Sequence, residues 1–168
     1  LAGGWPSGYT RFYVEADPYL SFDKPNHIRV VVDNSDVPNS RWYSGSGIYR
    51  HVNLLIGNKT HIRPNGVRIT TRSVGEPAEI RVETHVDNQT GVDCQVQIEI
   101  LDGGKVIAQQ VGSTDTVFEI LRARLWSAES PNLYSCRVTL LLDGKVLDQV
   151  VETFGIRSLE CTPQKGLL

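Results

Sequence analysis

A chain of 168 residues with a net charge of -2 has room for one large β-domain or two small ones and excludes few partners by charge alone. Its 17 Lys and Arg are interleaved with 19 Asp and Glu along the whole length, without the basic stripe that nucleic acid requires, so nucleic acid is excluded as a partner. No apolar run approaches the roughly 20 residues of a bilayer-crossing helix, and the opening LAGGWPSGYT has neither a charged n-region nor an apolar h-region, so a soluble chain with no membrane partner is expected.

The first part, in chain order, predicts strands at 9–15, 27–33 and 48–56, separated by long loops rich in Pro, Asn and Ser. Four strands at most can be drawn from it, whereas a jelly roll uses eight, so residues 1–57 read as the C-terminal half of one with its pairing partners upstream. Exposed strand edges would follow, a route to strand swapping, homo-oligomers or aggregation. Trp5 and Tyr9, beside a Gly-Gly-Trp-Pro turn, read as packing residues, with an aromatic platform as the competing reading. The loop 38–47 holds Arg41, Trp42 and Tyr43, a guanidinium fork and two flat rings suited to stacking on and hydrogen-bonding a sugar. Covering the end of a sandwich or packing on a neighbouring domain is the alternative for the same three residues.

The segment 57–60 reads as the boundary to a second unit, 58–160, in which alternation with a period of two dominates. Ile80, Val82, Thr84 and Val86 share one face with Arg81, Glu83 and His85 between them, and the phase recurs at Cys94, Val96, Ile98, Ile100 and at Tyr134, Cys136, Val138, Leu140, Leu142. Asp102-Gly103-Gly104 and Asp143-Gly144 predict tight hairpins, because glycine accepts positive φ at little cost. The segment 121–130 comes closest to a helix, but Pro131 disfavours helical geometry in the residue before it. About seven short strands with regular turn signals predict an immunoglobulin-like β-sandwich, and Tyr134, two residues before Cys136, echoes that fold's tyrosine corner. Trp126 is expected to cap one end of the core with its ring buried and its indole N–H hydrogen-bonded.

Three cysteines, Cys94, Cys136 and Cys161, form an odd count that argues against a disulfide framework, and the inward phase of the first two predicts free thiols acting as small hydrophobes. Neither these cysteines nor His27, His51, His61 and His85 show ligand spacing, so no metal or other cofactor is expected. Glu79, Glu83 and Glu99 alternate with inward positions and are expected to face solvent, while Glu129 and Glu152 lie near turns or strand edges, so no catalytic pair can be named. Ser46 beside His51 lacks an orienting acid and a strand-turn-helix elbow and carries no nucleophile reading.

Five blocks carry a further resemblance: Gly8-Tyr9-Thr10 with Phe12; Val31-Val32-Asp33-Asn34; Ser46-Gly47-Ile48-Tyr49-Arg50; Trp126-Ser127 with Pro131-Asn132-Leu133-Tyr134; and Gly155-Ile156-Arg157. In type and order they resemble the non-catalytic front half of glycoside hydrolase family 2 enzymes, the β-galactosidases, β-glucuronidases and β-mannosidases. The resemblance implies a jelly-roll sugar-binding-type domain over 1–57, an immunoglobulin-like domain over 58–160, and a linker, 161–168, toward a catalytic (β/α)₈ barrel beyond Leu168. It also implies an architectural role, most simply in a β-galactosidase. The family's two catalytic carboxylates, which retaining hydrolysis places about 5–5.5 Å apart, would belong to the barrel, so this segment is expected to be inactive alone. Related enzymes are often more acidic just before the loop of Arg41, and here Asp36 is the nearest acid. A free-standing carbohydrate-binding or adhesive module is the rival reading. The compartment is left open, the periplasm and secretion both being compatible.

Overall fold

Strands exist only through their neighbours, and the two parts of the chain differ in whether neighbours are found. The computed structural model describes residues 3–35, 45–164 and 166–167, and divides into two compact units, Leu1–Asn53 and Leu54–Leu168. In the first unit the strands expected within 9–15, 27–33 and 48–53 do not form: the described residues carry no ladder, only a 3-10 turn at Asp17–Tyr19 set by Pro18. Their apolar side chains lie open, with Phe22 93 %, Ile28 81 % and Val31 75 % exposed. An apolar run with nothing laid against it supplies neither partner hydrogen bonds nor burial, so local β-propensity alone leaves it unpaired. The expected strand at 48–56 continues past this unit, and its last residues are likewise outside any strand.

The second unit is all-β, as the alternation predicts. Seven strands, β1 (Thr60–Ser73), β2 (Ala78–Asn88), β3 (Gln95–Asp102), β4 (Lys105–Val111), β5 (Asp115–Ile120), β6 (Tyr134–Leu142) and β7 (Lys145–Phe154), form two antiparallel sheets. One has the order β1-β2-β5 and the other β4-β3-β6-β7. A two-residue ladder, β8 (Cys161–Thr162) with β9 (Gly166–Leu167), follows. Both expected hairpins close on positive φ, at Gly103 and Gly104 and at Asp143 and Gly144, the geometry that matches the twist of antiparallel strands.

The inward phase of each central strand makes the core: Ile80 and Val82 from β2, Ile98 and Ile100 from β3, and Cys136, Val138 and Leu140 from β6 are all fully buried. Each such aliphatic side chain contributes about 1.5–3 kcal/mol relative to exposure. All three thiols are free, Cys136 buried among these side chains and Cys94 packed at the core's margin. Burial, with the nearby Glu152 charge adding to it, pushes the Cys136 thiol up to about 12, so it stays a neutral hydrophobe.

Two devices fix the edges. In β1 a register irregularity separates Ile62 from Val67, and at Gly66 an added Cβ would lie 2.6 Å from the Arg63 carbonyl oxygen and 2.8 Å from that of His85, so only glycine fits. The Ile62 N–H donates to the Asp148 carboxylate at 2.8 Å, and Asn58 Nδ2 donates to the Leu147 carbonyl at 2.9 Å. These bonds tie the start of β1 to the start of β7, across the open side between the sheets. Because β7 then runs six residues on from Asp148 to Phe154, at ~3.3 Å each, the backbone leaves the sandwich about 20 Å from where it enters, at the opposite end.

Candidate functional site

At that exit end lie Tyr134, Phe154, Trp126, Arg124 and Arg157. Tyr134 opens β6 and stacks on Phe154 of β7 with ring centroids 5.8 Å apart. Its hydroxyl accepts the backbone N–H of Arg124 at 2.8 Å. Arg124 continues the cluster: its guanidinium lies over the Tyr134 ring, donates to Asn132 Oδ1 at 3.1 Å and pairs with Asp102. Asn132 Nδ2 returns to the Leu125 carbonyl at 2.9 Å, so the β5–β6 connection is held by side chains in place of a helix.

Trp126 sits differently from the expectation. Its ring is half-buried, and its indole N–H makes no hydrogen bond among the described residues. The backbone holds it instead: Trp126 N–H donates to the Ile156 carbonyl at 2.8 Å, and Trp126 bridges to Pro131. Gly155 lies against the ring, where an added Cβ would come within 2.8 Å of Trp126 Cβ, Cγ and Cδ1, and the Arg157 guanidinium lies 4.8 Å from the ring centroid. Trp126, Gly155 and Arg157 line a cleft of about 210 Å³. A second cleft of about 180 Å³ lies nearby, between Asp102, Glu119, Arg122 and Tyr134.

The carboxylates divide by sheet face. Glu83 contacts Arg81 at 3.2 Å, and Arg81 holds Asp115 through its Nε at 2.8 Å, lowering the Asp115 carboxyl below its ordinary range. Glu99 corrects the solvent-facing expectation: it is on the outer face of β3, yet only 8 % exposed, because Arg137 of β6 covers it and donates from Nε at 2.7 Å. That bond, larger than the opposing effect of burial, holds the Glu99 carboxyl below its usual value. Glu152 lies on β7 opposite Cys136, an inward-phase acid on an edge strand. Among the described residues no group of three or more His, Cys, Asp and Glu could hold a metal ion.

Arg41, Trp42 and Tyr43 lie outside the described residues. Within the first unit, Trp5 stacks on Phe12 at 6.0 Å, its indole N–H donating to Thr10 Oγ1 at 2.7 Å, with both rings about half exposed. Arg50 lies over Tyr49 at 5.1 Å and donates to the Tyr9 carbonyl at 3.2 Å, joining two of the quoted sequence blocks. The contact of Trp126 with Gly155 and Arg157 was not anticipated, although each residue stands in a quoted block; a glycine between an aromatic strand end and an Arg was the available signal.

Residues 60–157 match the family described as glycosyl hydrolases family 2. A β-galactosidase of Bacteroides ovatus is 32 % identical over 96 % of this chain and 21 % of its own length. A β-glucuronidase of Bacteroides fragilis is 27 % identical over 95 % of this chain and 26 % of its own length. Among solved structures, a β-glycosidase from Bacteroides vulgatus superposes with a TM-score of 0.81 at 29 % identity, covering 99 % of this chain and 22 % of that one. The chain therefore spans about a fifth to a quarter of the length of these relatives.

Proposed function

The chain belongs to the glycosyl hydrolases family 2, and from that premise we propose that it is a non-catalytic β-sandwich region that positions a catalytic barrel and helps shape its substrate entrance. The observation that carries this reading is the in-line path of the second unit. A rigid two-sheet body tied at one end by Asn58 and Asp148, and left at the other through Gly155 to Arg157, sets a fixed distance between whatever is joined to its ends. In this reading residues 1–57 are half of a jelly roll, 58–160 an immunoglobulin-like domain, and 161–168 the linker to the barrel. Arg41, Trp42 and Tyr43 border the sugar entrance. The enzyme is a β-galactosidase, the name one relative bears, while the name of another makes a β-glucuronidase the competing parent.

The 168-residue chain alone is expected to leave nitrophenyl β-galactoside and β-glucuronide intact. Hydrolysis that follows the protein peak through successive columns would overturn the scaffold role. The half-exposed Trp5–Phe12 stack favours one second reading, a carbohydrate-binding module, since flat exposed rings stack on sugar faces. Titration calorimetry with galacto-oligosaccharides separates the two: millimolar or tighter binding abolished by Trp5→Ala selects the module, and silence selects the scaffold.

A further inference from the structure

We propose that Asn65 is a site of spontaneous covalent modification, its side-chain amide closing on the backbone nitrogen of Gly66 to form a succinimide that opens to aspartate or isoaspartate. The irregularity in β1 builds the site in three parts. Arg63-Pro64-Asn65-Gly66 has the residue order of a type II turn, with proline in the second place and Asn65, at φ 56°, in the third. The register between β1 and β2 skips positions 63–66, so Gly66 stands outside the paired rows. An added Cβ at Gly66 would lie 2.6 Å from the Arg63 carbonyl oxygen and 2.8 Å from that of His85. Packing therefore holds glycine, which has no side chain to shield its nitrogen, directly after Asn65.

The reaction balances within these two residues and water. The Gly66 nitrogen gives its proton to solvent and attacks Asn65 Cγ; the Cγ–Nδ2 bond breaks, and Nδ2 takes up a proton and leaves as ammonia. Water then adds to one of the two imide carbonyls. Opening at the side-chain carbonyl gives aspartate, and opening at the backbone carbonyl gives isoaspartate, whose main chain runs through Cβ and is longer by one methylene. Asn65 is the one asparagine in the sequence that precedes a glycine. It is exposed and its side chain makes no hydrogen bond among the described residues, whereas the amides of Asn26, Asn58, Asn88 and Asn132 donate to backbone carbonyls. Asp102 and Asp143 also precede glycines, but a carboxylate is a poorer electrophile than a neutral amide, and Asp102 is further held by Arg124. The inference stands on this local chemistry and does not depend on the scaffold role.

The test incubates the 168-residue chain, folded and in denaturing urea, in warm buffers of rising pH made with ¹⁸O-water. Peptide mapping by mass spectrometry and labelling with an isoaspartate methyltransferase follow position 65. The folded chain is expected to lose the amide of Asn65, to take up one water oxygen there and to yield isoaspartate beside aspartate, while Asn58, Asn88 and Asn132 keep their amides. The conversion is expected to quicken as pH rises, because the attacking nitrogen must be deprotonated. Asn65→Gln, which would have to close a six-membered ring, is expected to abolish it, with circular dichroism showing that the variant keeps its sheets. The proposal is overturned if the folded chain keeps the amide, whether or not the urea-unfolded chain loses it. It is also overturned if aspartate forms without isoaspartate, as direct hydrolysis would give, if the rate ignores pH, if Asn65→Gln converts as readily, or if Asn58, Asn88 or Asn132 converts as fast.

Discussion

Gly155→Ala is a one-methyl test of the packing at the exit end. The new Cβ would lie 2.8 Å from Trp126 Cβ, Cγ and Cδ1, against ~3.5–4.0 Å for relaxed carbon contacts, so the ring or the strand end must move by about 1 Å. Neither moves freely, because Trp126 is bonded to the Ile156 backbone and covered by Arg157. Overpacking of this kind costs about 1–3 kcal/mol, while the alanine restricts the unfolded chain and returns ~0.4–1 kcal/mol. A net destabilisation of about 1–2 kcal/mol follows, a fall in Tm of roughly 4–8 °C for a sandwich of this size. Far-UV circular dichroism during heating and urea titration measures it. The decisive arm is a double-mutant cycle with Trp126→Gly, which removes all three clashing atoms. In that background Gly155→Ala is expected to be neutral or slightly stabilising, and an equal loss in both backgrounds would falsify the steric argument.

Tyr134→Phe keeps the ring stack on Phe154 but removes the acceptor of the Arg124 N–H, so a loss of about 1–3 kcal/mol is expected in urea unfolding. A loss below a few tenths would mean that solvent satisfies that N–H. Glu99→Gln tests the Arg137 pair through pH. Since the folded carboxyl titrates below its usual value, its stabilisation is fully present above the unfolded value, near pH 4.3, and is lost as pH falls through the lower folded value. The variant should therefore be weaker than the parent near neutrality and converge on it once pH has fallen below the lowered folded value; a urea-midpoint difference that ignores pH would show that the pair contributes nothing.

Most of the second unit was legible because its physics is local. Strict alternation named the inward faces of β2, β3 and β6, and Asp-Gly turns marked both hairpins, since a period of two and positive φ leave direct traces in residue type. Tyr134 was readable through the same alternation, which puts it on the buried face of β6. What escaped depends on contacts between residues far apart in the chain. The bond from Ile62 N–H to Asp148 spans 86 positions, and nothing in either neighbourhood announces it. Trp126 was misplaced because its surroundings are supplied by Gly155 and Arg157, so the indole that was expected to be a buried cap is a floor beneath a cation. Glu99 was assigned to solvent by face alone, whereas the length of Arg137 decides its exposure. The first unit shows the limit of propensity: Ile28 to Val32 has strand-forming residues but no strand, because a ladder belongs to two segments and a sequence window contains one. The loop bearing Arg41, Trp42 and Tyr43 lies outside the described residues, and its reading rests on residue chemistry.

The opposed positions of chain entry and exit have a mechanical corollary. β1 is reached through its first residue and β7 is left through its last, and the two strands run side by side in the same direction. Tension between those attachment points pulls each strand along its own axis, past β2 or past β6, and so loads whole rows of ladder bonds at once instead of peeling them singly. Under shear of that kind, a load applied at the two ends is shared by the ladders of β1 and β7 instead of falling on one bond at a time.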